Sequence, residues 1–217
     1  RDTSVTGVQT CALPISTKSP HLLIPAADIS GPLFVGIDLG GTNIKAALVD
    51  DHGRMVAFHT EPTHVQNGPD DAAIRMGHSV NLLAQCAGLD RSDIAAVGLG
   101  TPGPQDLSTG LLIKPGNFPG WENFPVRDRV AEHCGHAVTY ANDATAAAYG
   151  EFWVGSGRDD TSLILLTLGT GVGGGIIIGD MTIEGAHSHG SECGHIIVDS
   201  SPIARMCPCG QSGHLEA

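Results

Sequence analysis

Basic residues are scarce in this chain: 11 Lys and Arg stand against 23 Asp and Glu, a formal net charge of −12. Such an acidic surface repels phosphodiester backbones and anionic lipid, and no basic patch offers a local exception, so no nucleic-acid or membrane-surface binding is expected. Aromatic residues are also few, five Phe, two Trp and two Tyr in 217 residues, which leaves Val, Ile, Leu and Ala to build the core. Charged residues make up 16% against 41% apolar, with 30 Gly and 13 Pro; this balance excludes a disordered or coiled-coil chain and fits a globular protein rich in turns. The six Cys, at 11, 86, 134, 193, 207 and 209, lack the dense, regular spacing of a secreted disulfide scaffold, so a reducing compartment is expected. The longest uncharged run, residues 161–179, approaches the length of a membrane span, but Gly169, Gly171, Gly173, Gly174 and Gly175 sit in its middle. Two buried strands around a glycine turn explain it better.

Residues 5–15 resemble a translated sequencing adapter, so residues 1–16 are expected to be an artefact outside the fold and 17–32 a disordered leader. The other end, Gly213-His-Leu-Glu-Ala217, reads as the first turn of a helix. The chain is therefore expected to be a fragment open at both ends.

Residues 34–39 form an apolar run, followed by Gly40-Gly41-Thr42 and a second run over 44–49: strand, tight turn, strand. Asp51-His52-Gly53 turns the chain into a third strand at 55–59, and 70–87 has the capping and apolar spacing of a helix. A strand is expected at 94–99, an irregular Gly and Pro-rich stretch over 100–125, a helix at 126–134, a short strand at 137–140 and a helix at 142–152. The opening then repeats: strands at 163–168 and 173–178 flank Gly169-Thr170-Gly171, and Asp38-Leu39-Gly40 aligns over Thr167-Leu168-Gly169. Two such hairpins separated by helix and strand suggest a duplicated αβ unit with a cleft between the copies. The expected domains are an N-terminal αβ unit over 33–141 and the start of a second over 142–217.

A turn of Gly and Thr presents backbone amides with no side chain in the way, as close approach of phosphate oxygens requires. Neither hairpin has P-loop spacing, and neither is a dinucleotide GxGxxG opening a helix. Ordinary hairpin turns are the plain alternative. Asp38, at the end of the first strand, would face the same phosphates, where a carboxylate suits a Mg²⁺ anchor. Asp143, near a helix start, is read equally well as a helix cap or as a base.

The series of motifs narrows these readings. Asp38-Leu-Gly-Gly-Thr-Asn-Ile-Lys45 resembles the first phosphate motif of the ROK sugar kinases. Gly98-Leu-Gly-Thr-Pro-Gly103, Asn117-Phe-Pro-Gly-Trp121, Asn142-Asp-Ala-Thr-Ala-Ala-Ala148 with Gly150-Glu151, Leu168-Gly-Thr-Gly-Val-Gly-Gly174 and Glu192-Cys-Gly-His195 resemble that family's later landmarks, in order. A collinear series is far more specific than any one motif. The resemblance implies an α/β, actin-like ATPase fold of the ribonuclease H type, two domains closing around a sugar and Mg²⁺-ATP. It implies a hexokinase-type phosphotransferase, converting a hexose, glucose first, to its 6-phosphate, with Asp143 as catalytic base. Asn117, Asn142, Glu192, His195 and Glu216 would bind sugar, and Asp38, Gly40, Gly41, Thr42, Lys45, Gly169, Thr170, Gly171 and Gly173 the nucleotide.

His195, Cys207, Cys209 and His214 look like a structural zinc knuckle in that family, with the departure that His214 stands where Cys is usual. Zn²⁺ takes imidazole and thiolate interchangeably, so a Cys₂His₂ site is chemically sound. A Cys207–Cys209 disulfide is the rival, strained by having one intervening residue. His187 and His189 read as part of a loop lining the sugar pocket, and Met181, Trp153 and Tyr149 as packing residues. ATP use and reduced thiols point to a cytoplasmic location, and a homodimer is expected because oligomers are common in that family. Its other members include kinases for fructose, allose and N-acetylhexosamines, and sugar-sensing transcriptional repressors. Two complete glycine hairpins argue against a repressor, which needs no ATP.

Overall fold

A computed structural model describes residues 19–169 and 171–217. The chain runs through β1 (His21–Leu22), β2 (Leu33–Leu39), β3 (Asn43–Val49), β4 (Met55–Pro62), α1 (Pro69–Cys86), β5 (Ile94–Thr101), β6 (Gln105–Asp106), β7 (Leu111–Leu112), α2 (Val126–Cys134), β8 (Val138–Asn142), α3 (Asp143–Trp153), β9 (Ser162–Leu168), β10 (Val172–Ile178) and β11 (Met181–Thr182). A six-stranded sheet has the order β1-β4-β3-β2-β5-β8, and a second sheet the order β11-β10-β9. The β2–β3–β4 meander is antiparallel, whereas β5 and β8 join it in parallel. The larger sheet is therefore mixed, with the carboxyl ends of β2, β5 and β8 at one edge.

Alternation decides which face of that sheet is covered. Leu33, Val35, Ile37 and Leu39 of β2, with Ile44, Ala46 and Leu48 of β3, are buried in one core with Met76, Val80 and Leu83 of α1 and Val126 and Val130 of α2. Pro69 opens α1, where its missing N–H costs nothing, and Asp70 and Asp71 complement the helix dipole in the first turn. Gly77 lets α1 approach α2: a Cβ there would lie 2.4 Å from His133 Cβ. Gly135, at φ 68°, ends α2 in the left-handed region.

Several expectations shift. The 17–32 stretch, expected as a disordered leader, includes β1, whose His21 and Leu22 pair with Phe58 and Ala57 of β4; residues 1–18 lie outside the described residues. The stretch 100–125 carries a small β6–β7 hairpin and a buried aromatic knot of Phe118, Trp121 and Phe124, in which Trp121 Nε1 donates to the Val65 carbonyl at 3.1 Å. Met181 is exposed, not packed. Trp153 and Tyr149 are partly exposed, Trp153 edge-on to Phe34 and Tyr149 tilted against Phe152.

Helix α3 bridges the two sheets. It begins where β8 ends, and its small residues seat against the glycines of β10: a Cβ on Gly175 would stand 2.3 Å from Ala148 Cβ, and one on Gly173 3.0 Å from Ala144 Cβ. The glycines of the second motif thus serve helix–sheet contact as well as the turn.

Candidate active site

The carboxyl ends of β5 and β8, the start of α3, and the β9–β10 turn surround a cleft of about 630 Å³. Asn117, Asn142, Asp143, Gly169, Gly171, Gly173, Glu192, His195 and Glu216 line it, so most of the site residues expected from sequence are brought together. Asp38 and Lys45 instead line an adjoining cavity of about 910 Å³, which Asp143 also reaches. Gly40, Gly41 and Thr42 line neither, although a Cβ on Gly41 would sit 3.5 Å from Asn117 Cβ. Thr170 falls outside the described residues.

The β2–β3 turn is pinned from one side. Thr63, fully buried, donates its N–H to the Thr42 carbonyl at 2.9 Å and its hydroxyl to the Gly40 carbonyl at 2.5 Å. Both carbonyls are thereby committed. Sequence reasoning missed Thr63, which lies two residues after His-Thr-Glu61 in no recognisable motif and meets the turn only through β3–β4 pairing. Asp38 and Lys45 are cross-strand partners, and Lys45 Nζ lies 3.3 Å from Asp38 Oδ2 with both side chains half exposed. The ammonium therefore neutralises the carboxylate expected to anchor a cation.

The structure separates the two roles considered for Asp143. Asn142 is the helix N-cap: its Oδ1 accepts from the Ala144 amide at 2.9 Å and the Thr145 amide at 3.3 Å. Among the described residues Asp143 accepts the Ala144 amide, at 2.8 Å, and its carboxylate is left open to the cleft. The surrounding walls desolvate it, which raises its pKa; the Ala144 amide offsets part of this, and the carboxylates of Asp38 and then Glu192 add to the rise. That direction suits a group that must take a proton near neutral pH.

On the far wall, Glu216 accepts the Val172 amide at 3.3 Å and the Cys207 thiol at 3.0 Å. Those bonds, the thiol first, lower its pKa. His189 and Ser188 line the cleft as expected of their loop; His187 does not, and its carbonyl accepts His189 Nδ1.

His195, Cys207, Cys209 and His214 converge beside the cleft, their ligand atoms all within 4.8 Å of one another. His195 Nδ1 is 3.1 Å from His214 Nδ1, Cys207 Sγ 3.9 Å from His195 Nδ1, and Cys209 Sγ 3.3 Å from His214 Nδ1. Donors bonded to one tetrahedral Zn²⁺ at about 2.0–2.3 Å stand roughly 3.3–3.8 Å apart; these three separations lie within a few tenths of an ångström of that range, and two imidazoles with two thiols are a donor set that suits the ion. His214 takes its place in the cluster, and Cys207 and Cys209 are free thiols.

Fold and site together define an α/β cleft protein built on two glycine hairpins. The sequence pattern of the ROK family matches residues 34–217, and the chain belongs to that family. It is 37% identical over 184 residues to a glucokinase of Thermotoga maritima, covering 85% of this chain and 56% of that protein. Its fold matches a ROK hexokinase from Thermus thermophilus with a TM-score of 0.75 at 35% identity, over 85% of this chain and 59% of the other. A ROK family glucokinase from Streptomyces griseus, solved with glucose and AMPPNP, matches with a TM-score of 0.69 at 35% identity, over 85% and 56% of the two chains. The chain thus spans a little over half the length of these relatives.

Proposed function

We propose that the protein is a hexose kinase, transferring the γ-phosphoryl group of Mg²⁺-ATP to a hexose, with glucose as the preferred acceptor and glucose 6-phosphate as product. The observation that carries this reading is Asp143: freed from capping by Asn142, with a raised pKa, it faces a cleft shared with Asn117, Glu192, His195 and Glu216. Phosphoryl transfer to an alcohol needs a carboxylate at the attacking hydroxyl and little further covalent chemistry from the protein. Asp143 accepts the hydroxyl proton as the sugar oxygen bonds to phosphorus and ADP departs. The amide, imidazole and carboxylate groups around it suit hydroxyls that each donate and accept. The glycine turns, duplicated across the two αβ units, would hold the phosphates on their amides, and Asp38 with Lys45 would meet the cation and the phosphate charge.

His195, Cys207, Cys209 and His214 would hold a structural Zn²⁺, which when bound fixes the loop 193–216. With Nδ1 turned toward the cluster, His195 keeps its other ring nitrogen for a sugar hydroxyl. No described helix is long and apolar enough to cross a membrane; a cytoplasmic homodimer is the working assignment. The pair of complete glycine hairpins supports the kinase over a sugar-sensing repressor.

A coupled ADP-release assay tests this on the product of the complete reading frame, with Mg²⁺-ATP and a panel of hexoses, beside Asp143→Asn. Turnover on glucose that vanishes in the variant is the expected result. Absence of turnover on every sugar, with sugar still bound, overturns the kinase reading.

A further inference from the structure

Beneath the cleft lies a set of polar side chains that the reaction above does not use. Thr101 ends β5, Tyr140 lies in β8, and Gln105 opens β6; they are 0%, 7% and 1% exposed. The Thr101 hydroxyl donates to Gln105 Oε1 at 3.2 Å. Its single proton being so committed, it must accept from the Tyr140 hydroxyl, 2.8 Å away. A directed chain results, Tyr140 to Thr101 to Gln105, and it ends on Gln105 Nε2, which has no partner among the described residues.

The placement of this chain gives it meaning. Residues 102–104, bridged by the Thr101–Gln105 bond, are Pro102, Gly103 and Pro104, all of which line the cleft. Gly103 sits at φ 88°, where a Cβ would meet Pro115 at 3.0 Å, so this cleft wall turns where only glycine fits without strain. Two residues after Tyr140 comes Asn142, which caps α3, and then Asp143. Parallel pairing sets Thr101 beside Asn142, so one hydrogen-bonded chain ties the cleft wall to the strand that delivers Asp143. Three apolar side chains would pack here without an unpaired donor. A buried polar chain that joins the cleft wall to the strand leading to Asp143 points to a geometric requirement beyond stability.

Building on the hexose-kinase reading, we propose that Tyr140, Thr101 and Gln105 are positioning residues. They hold the Pro102–Pro104 loop at a fixed distance from Asp143 and so set the affinity for the sugar.

The test uses the product of the complete reading frame carrying Thr101→Val, Thr101→Ser or Tyr140→Phe. Thr101→Val keeps the shape and removes both bonds; it should raise the hexose KM roughly tenfold, the sign of lost substrate binding, and leave the ATP KM unchanged. Thr101→Ser, which restores the hydroxyl, should recover most of that loss. A merely structural role behaves differently: it lowers kcat in proportion to the folded fraction and moves neither KM, and that result overturns the proposal. If Thr101→Val does not fold, Tyr140→Phe decides by the same split, since it deletes one hydroxyl and leaves the Thr101–Gln105 bond. Hydrogen exchange, which needs no activity, separates this inference from the kinase reading. Faster exchange confined to peptides covering 101–106 and 140–145 supports positioning even if the unsubstituted protein turns over no sugar, and unchanged or globally faster exchange rejects it.

Discussion

At the scale of single residues, the strongest consequence follows from the surroundings of Asp143. Crowding by the cleft walls, with Asp38 and Glu192 adding like charge, raises its pKa above the ordinary value of 3.8. Between that value and the raised one, the folded protein holds a proton that the unfolded chain has released, so stability falls as pH rises through this window and is level beyond it. Asp143→Asn keeps an acceptor for the Ala144 amide and removes the charge. It should therefore cut turnover by roughly 10²–10⁴, the span of general-base catalysis, while raising Tm at neutral pH and flattening that part of the pH dependence. Thermal melts of both proteins between pH 3.5 and 7 check the sign; a lower Tm for the variant at pH 7 would mean that the carboxylate contributes to stability. On the kinase reading, kcat of the unsubstituted protein should fall toward acid with a midpoint above the ordinary carboxylate value. The same residue shows what the sequence could and could not tell. Asn142 and Asp143 both suit a helix start and both accept the Ala144 amide, and the further bond from the Thr145 amide, with the extended backbone of Asn142, assigns the cap to Asn142.

Secondary-structure elements were more legible than their arrangement. Apolar runs and glycine turns placed β2, β3, β9 and β10, because a strand between tight turns leaves a local signature. The partnership of Thr101 with Tyr140 left none: 39 residues separate them, and they meet through the β5–β8 register alone. Glycine meanings were also hidden, since Gly175 follows directly on the motif read as a phosphate turn and falls in the strand expected at 173–178, yet its lack of a side chain serves α3. With a Cβ there only 2.3 Å from Ala148 Cβ, Gly175→Ala should cost about 1–3 kcal/mol by overpacking, seen as a lower urea midpoint with little change in the slope. An unchanged midpoint would show that α3 and β10 separate freely. The loop 193–216 depends on a different support, having beyond one 3₁₀ turn at Cys193–His195 the isolated bridges Ile197↔His214 and Met206↔Ser212 in place of longer strands or helices. Chelation by a strong zinc chelator should release one Zn²⁺ per chain, measured by elemental analysis, and lower Tm. His214→Cys should keep the metal, whereas Cys207→Ser should lose it.

For the molecule as a whole, the decisive quantity is charge. The chain carries −12 overall, and the cleft adds Asp143, Glu184, Glu192 and Glu216 to its lining, with Lys45 the cation of the adjoining cavity and already paired to Asp38. The long-range field therefore opposes an incoming polyanion, while a neutral hexose feels none of it. Two consequences separate the substrates. Free ATP should bind far more weakly than its Mg²⁺ complex, because the cation cancels half of the triphosphate charge before the acidic walls are met. Added salt should also lower the KM for Mg²⁺-ATP, as screening at about 10 Å in 0.1 M electrolyte removes part of the repulsion, and leave the hexose KM where it was. Steady-state kinetics between 20 and 200 mM potassium chloride at saturating Mg²⁺ would measure this. A nucleotide KM that rises with salt would place a net positive potential at the phosphate turns, strong enough to outweigh the rest of the acidic surface, and would assign Lys45 to the nucleotide in preference to Asp38.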